Sequence, residues 1–241
     1  MQEQVARDIR RRLEAVRENV ARACERCGRD AAGVRIVAVS KFHPAEAVVA
    51  ALGAGQLLFG ENRVQEAAAK FDGLRTEGHQ CELHIIGQLQ RNKAREAVRI
   101  ADCIESVDRV ELLEELERQC ARQEKRIGVL FELHTAEETK AGFASEDALS
   151  VALERCMHGD FPHLEPRGLM TMAPNTTDEA LVRESFARTR ECARRLRQRF
   201  PGLALEELSM GMSGDYELAI AEGATIVRIG TAIFGSRDGI A

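Results

Sequence analysis

The chain has no apolar run long enough to cross a membrane, which argues against a helical membrane protein. Its N-terminus opens polar and charged rather than with the apolar core of a secretory signal, so a cytoplasmic protein is expected. It also lacks a surplus of positive charge. The formal net charge is -5, and Arg10, Arg11 and Arg12 sit among acids, so they read as a solvated helix face rather than a nucleic-acid patch. The seven cysteines are odd in number and lack the spacing of a disulfide framework, which reads as reduced thiols. Cys24-Glu-Arg-Cys27 has CxxC spacing but no second pair to complete a metal site. His43, His79, His158 and His163 lack metal-ligand spacing, so no metal is expected. There is no glycine-rich GxGxxG turn and only one tyrosine, Tyr216.

What the sequence does hold is alternation. Its 241 residues, 44% apolar and 30% charged, suffice for a substantial core. Val5, Ile9, Leu13, Val16, Val20 and Cys24 recur at intervals of four and three, the period of a helix, within residues 2–27. Short β-branched runs then follow at 34–40, 57–60, 82–86, 101–105, 127–133, 164–168, 205–209 and 224–229, with helical patterns between them. The clearest helix covers 178–200, with a capping box expected at Thr176-Thr-Asp-Glu179. Another is expected to start at Asp108-Arg-Val-Glu111, and Pro44 is expected as the first residue of the helix after the first strand. Eight strand–helix units imply a parallel sheet closed into a (β/α)8 TIM barrel of the α/β class. The barrel would span 34–235 of a single domain covering 1–241, with an extra N-terminal helix inside 1–30. The rival, an open doubly wound sheet, would call for the missing glycine-rich turn.

The first strand, Val34-Arg-Ile-Val-Ala-Val-Ser-Lys41, ends in a lysine where buried sheet gives way to the mouth of such a barrel. A lysine there can pair with an anion or, partly desolvated, attack a carbonyl to form a Schiff base. Barrel closure makes the first and eighth strands neighbours about 5 Å apart, so Lys41 and Arg228 can reach one pocket. The loops after strands seven and eight, Met210-Gly-Met-Ser-Gly-Asp215 and Gly230-Thr231, are small-residue turns before helical segments. Such turns suit a phosphate. A lysine beside a phosphate cup suggests a phosphorylated carbonyl compound, either a sugar phosphate or pyridoxal 5'-phosphate. Arg228 favours the latter, because a guanidinium facing a pyridine nitrogen leaves that nitrogen largely unprotonated and weakens the ring as an electron sink.

The stretches AVSK (38–41), FGENRVQE (59–66), HIIGQLQRNK (84–93), SVD (106–108), EETKAG (137–142), GLMTM (168–172), SMGMSGDYELAI (209–220) and GATIVRIGTAIFG (223–235) occur in this order. In that order they resemble the YggS/PROSC family of pyridoxal phosphate homeostasis proteins, over nearly all of Val34 to Gly235. The resemblance implies the stand-alone barrel of alanine racemase and a role in vitamin B6 homeostasis without an established reaction. By resemblance, Lys41 is the Schiff-base lysine and Asn62 lines the pocket. Ser213, Gly230 and Thr231 anchor the phosphate, Arg228 faces the pyridine nitrogen, and His84 and Ser106 line the wall. The family often has an asparagine at the end of the fifth strand, where this chain reads Leu133-His134-Thr135. Lys140 matches a family lysine, either a surface cation or part of a secondary cofactor site.

Three functions follow as candidates: a cofactor-holding protein that supplies pyridoxal-phosphate-dependent apoenzymes, an amino-acid racemase, and a Schiff-base aldolase. The first is favoured. A two-base racemase needs a second acid–base group, and in the alanine racemase relatives that group is a tyrosine from another domain. Nothing demands a dimer, so a monomer is expected.

Overall fold

The computed structural model describes residues 2–135 and 142–235. The strands are β1 (Arg35–Val39), β2 (Leu58–Glu61), β3 (Glu82–Ile85), β4 (Cys103–Val107), β5 (Ile127–Glu132), β6 (Leu164–Met170), β7 (Glu207–Ser209) and β8 (Ile226–Ile229). All pair in parallel and in chain order, and β8 closes onto β1 with Val37 beside Arg228. The expected eight-stranded barrel is therefore present.

The helices are α1 (Gln2–Arg26), α2 (Ala45–Gly53), α3 (Val64–Thr76), α4 (Ala94–Ile100), α5 (Val110–Arg122), α6 (Glu146–Met157), α7 (Glu179–Arg199), α8 (Tyr216–Ala221) and α9 (Thr231–Phe234). The periodic residues Ile9, Leu13, Val16, Val20 and Cys24 of α1 are all buried, and α1 packs across α2, α8 and α9 beside the barrel seam. Val5, which shares the spacing, is exposed.

Strand parity separates two cores. Val37, Val39, Leu58, Cys103, Leu130, Met170 and Ile226 form one buried cluster inside the barrel. Their outward neighbours, such as Ala38, Phe59, Val129 and Val227, belong to a second cluster between sheet and helices. The parity that puts Val37 and Val39 inside brings Arg228, two residues past Ile226, inside as well.

Local start signals depart from expectation in three places. Helix α7 is capped by Asp178, whose carboxylate accepts from Ala180 N at 2.9 Å, instead of by a Thr176–Glu179 box. Thr176 Oγ1 accepts from the Asp178 backbone N–H. Asp and Thr are both good caps, and the later one prevails. Before α5, Asp108 pairs with Arg109 instead of capping the helix. Pro44 is the extended residue preceding α2 and not its first helical residue.

Candidate cofactor-binding site

Lys41 lies two residues beyond Val39, at the C-terminal mouth of the barrel, and the chain on either side of it is pinned. Ser40 Oγ donates to Glu61 Oε1 at 2.7 Å, while Lys70 Nζ donates to Glu61 Oε1 at 2.6 Å and to the Ser40 carbonyl at 2.7 Å. Burial raises the pKa of Glu61, against the opposing pull of Lys70 and Ser40. Phe42 occupies the left-handed region at φ 67°, where a residue other than glycine is uncommon. Its N–H donates to Glu66 at 2.5 Å. His43 is buried, its ring 5.1 Å from that of Phe234 in α9. The lysine is thus carried on a braced loop between β1 and α2.

Arg228 is buried inside the barrel. Its Nη1 donates to the Ser209 carbonyl at 2.7 Å and to Ser209 Oγ at 2.8 Å, and its Nη2 donates to the Thr171 carbonyl at 2.8 Å. Ser209 Oγ in turn donates to Glu105 Oε2 at 2.5 Å. The other oxygen of Glu105 meets His84 Nδ1 at 2.6 Å, and His84 Nε2 meets Glu82 at 2.8 Å. Burial by itself would lower the pKa of His84. The hydrogen bonds and charges of Glu105 and Glu82 outweigh it and raise the value to about 9, so the ring is an imidazolium at neutral pH. The hydrogen bond from His84 brings Glu82 down to about 2, and the pKa of Glu105 is lowered as well, despite its burial. Glu132 on β5 behaves in the opposite way: desolvation pushes it up to about 7 against the attraction of Arg228.

The rim beside Lys41 is built by close backbone approach. Gly230, before α9, lies so near β1 that a Cβ there would stand 3.2 Å from the Val39 carbonyl oxygen. A Cβ on Gly87 would stand 2.4 Å from the Asn62 carbonyl oxygen, so only glycine fits against that turn. Asn62 Oδ1 is buried without a hydrogen-bond partner, an unfavourable condition that a ligand polar atom would relieve. In the loop after β7, Asp215 accepts from Met212 N at 2.5 Å and holds Ser213 and Gly214 at the tip. Ser213 also borders a cleft of about 880 Å³ between this loop and the one after β6, lined by Met172, Asn175 and Thr177. An amine, a buried guanidinium, an orphaned amide oxygen and two small-residue loops together match a ligand carrying an aldehyde, a basic ring nitrogen and a phosphate.

The structure therefore places Lys41, Asn62 and Gly230 just past the C-terminal ends of the adjoining strands β1, β2 and β8, with Thr231 opening α9, Arg228 within β8 and Ser213 on the loop after β7. His84 and Ser106 both have protein partners. Both ring nitrogens of His84 are engaged by carboxylates inside the barrel. Ser106 donates its hydroxyl to the Gly87 carbonyl at 2.7 Å. At the end of β5, His134 N donates to the Phe143 carbonyl, and Thr135 Oγ1 joins the hydroxyls of Thr171 and Ser185 at 2.8 and 2.6 Å. Lys140 lies outside the described residues. Sequence reasoning missed Glu61, Lys70, Glu105, Glu132 and Ser209. The available signal was a carboxylate inside an otherwise apolar strand, since such a group demands a partner.

The family described as alanine racemase, N-terminal domain, matches residues 12–238. The pyridoxal phosphate homeostasis protein of Escherichia coli K12 is 38% identical over 96% of this chain and 97% of its own length. PipY of Synechococcus elongatus PCC7942 is 39% identical over 94% of this chain and all of its own. Its structures superpose with TM-scores of 0.85 without PLP and 0.83 with PLP bound. Histidine racemase from Leuconostoc mesenteroides, at 19% identity and TM-score 0.70, shares the fold, and the match covers 58% of that enzyme. The chain belongs to the pyridoxal phosphate homeostasis proteins, which are built on the N-terminal barrel of alanine racemase.

Proposed function

We propose that this chain is a pyridoxal 5'-phosphate-binding protein of vitamin B6 homeostasis. On this reading it acts in the cytoplasm as a monomer, holds the cofactor covalently through Lys41, supplies it to pyridoxal-phosphate-dependent apoenzymes, and has no catalytic turnover of its own. The observation that carries the reading is the pairing of β1, which leads to Lys41, with β8, which holds buried Arg228 against Val37, together with an orphaned amide oxygen on Asn62 just past the end of β2. When bound, pyridoxal phosphate supplies an electrophilic aldehyde carbon. Lys41 would supply the amine that holds that carbon. Arg228 offers N–H groups to the ring nitrogen and keeps a permanent positive charge beside it. Ser213, Gly230 and Thr231 offer hydroxyl and backbone donors to the phosphate.

The absence of turnover is supported by the position of Tyr216. It is the only tyrosine of the chain, it is buried at the start of α8, and its hydroxyl engages Asn19 of α1. A second acid–base group is needed for two-base proton exchange, and the hydroxyl of this tyrosine is taken up by Asn19. The test is borohydride reduction of the cofactor-loaded protein followed by peptide mass mapping. The phosphopyridoxyl group is expected on the peptide containing Lys41 and is expected to disappear in Lys41→Ala. Labelling confined to other lysines would overturn the assignment.

A further inference from the structure

The buried groups behind Arg228 form an ordered line through the barrel. It runs from Glu82 through His84, Glu105 and Ser209 to the guanidinium, and every donor along it is determined. The imidazolium has two N–H groups, one directed at Glu82 and one at Glu105. An ionised carboxylate can only accept. The single hydroxyl proton of Ser209 therefore goes to Glu105, and Ser209 Oγ must accept from Arg228 Nη1. The Thr171 and Ser209 carbonyls hold the rest of the fork.

Three charged groups act on Arg228: Glu105, Glu132 and Asp215. Among the described residues, Glu105 is the one joined to it through a hydrogen-bonded side chain. Beyond Glu82 lie Arg35 at 3.5 Å and Arg167 at 3.8 Å, so charge alternates along the line as far as the opposite mouth of the barrel.

Resting on the cofactor reading above, we propose that Ser209, Glu105 and His84 are positioning residues that act through Arg228. They lock the direction of its guanidinium, so that its hydrogen bond to the ring nitrogen of pyridoxal phosphate is set from within the barrel. In many sites a carboxylate would stand at that nitrogen. Here the carboxylate stands one hydroxyl and one guanidinium away, and the ring nitrogen senses it only through Arg228. Ser209→Ala removes the hydroxyl relay while leaving both backbone carbonyls that hold Arg228. Glu105→Gln keeps the shape and removes the negative charge.

The test uses the full chain loaded with pyridoxal 5'-phosphate labelled with ¹⁵N at the ring nitrogen. The readouts are the ¹⁵N shift, the absorbance maximum and cofactor retention. In Ser209→Ala the ¹⁵N signal is expected to move, and retention to fall by roughly two- to tenfold, the scale of one hydrogen bond. Borohydride should still label Lys41, which separates failure of this proposal from failure of the cofactor reading. The same substitution made in an Arg228→Lys background should produce no further change, because the relay would have lost its target. The proposal is overturned if Ser209→Ala leaves the ¹⁵N shift and retention unchanged. It is equally overturned if Ser209→Ala changes them as much in the Arg228→Lys background as in the chain that keeps Arg228. Should Glu105→Gln fail to fold, the Ser209 pair decides alone.

Discussion

The pH dependence of stability tests the buried line most directly, and His84 sets its size. The folded pKa of His84 is about 9 against an ordinary value of 6.5. The shift is about 2.5 units, and each unit corresponds to roughly 1.4 kcal/mol, so the pairing contributes on the order of 3 kcal/mol. Because the folded value is the higher one, that stability is fully present below about pH 6.5 and is lost as pH rises through about 9. Within this window the folded protein binds more protons than the unfolded chain, so stability falls with pH, by at most about 1.4 kcal/mol per unit from this group. For a chain of this size, 3 kcal/mol corresponds to roughly 6–12 °C in Tm. The assay is denaturant unfolding of wild type and His84→Gln at intervals from pH 6 to pH 9. His84→Gln should be less stable at pH 6, and the difference should shrink toward zero at pH 9. Thiols that titrate higher because of burial, such as Cys120 and Cys192, are present in both proteins and cancel in the comparison. A difference that stays constant with pH would show that folding does not raise the pKa of His84, and the ordered line would lose its central member.

Glu132 should show a different profile. Its folded pKa of about 7 lies above the ordinary 4.5, so its burial costs stability as pH rises from 4.5 to 7, and Glu132→Gln should unfold at higher denaturant than wild type at pH 8 yet match it at pH 4. Ser213→Ala should weaken cofactor binding by about ten- to a hundredfold, the loss of one hydrogen bond to a charged acceptor, measured by equilibrium dialysis. Gly230→Val should weaken it further, since its side chain would press on the Val39 carbonyl; unchanged binding in a folded Gly230→Val protein would place the phosphate elsewhere. Solvent deuterium should not enter Cα of L- or D-alanine at an enzymatic rate of about 10 s⁻¹ with loaded protein; such a rate, lost in Lys41→Ala, would make the racemase reading correct.

The barrel was legible because strand runs and helical periods alternate eight times, and because hydrophobic period is a local property. Lys41 and Arg228 stand out as candidates for a related reason. Each is a charge set against an apolar strand, one following Ile36-Val-Ala-Val39 after Ser40 and the other interrupting Ile226-Val-Arg-Ile229. Helix starts were less so. Thr176, Asp178 and Asp108 all have side chains that cap well, and the choice among them depends on the path of the preceding loop. Pro44 was misplaced by a single residue for the same reason.

The partners of buried charge were the least legible part. Glu105 interrupts an apolar strand just as Arg228 does, Glu61 and Glu132 end theirs, and a buried carboxylate requires hydrogen bonds or a counter-charge. That requirement can be read from a strand such as Cys103-Ile-Glu-Ser-Val107. What satisfies it cannot, because Glu105 meets His84 from 21 residues away and Ser209 from 104 residues away, and only closure of the barrel makes them neighbours. The two glutamates beside Arg228 then part company for a physical reason. Glu105 has an imidazolium and a hydroxyl on its two oxygens and stays ionised, whereas desolvation governs Glu132 and raises it to about 7. The guanidinium thus has one fixed counter-charge behind it and one carboxyl that titrates near neutrality. A ligand that draws on the charge of Arg228 would shift the titration of Glu132 but leave Glu105 ionised.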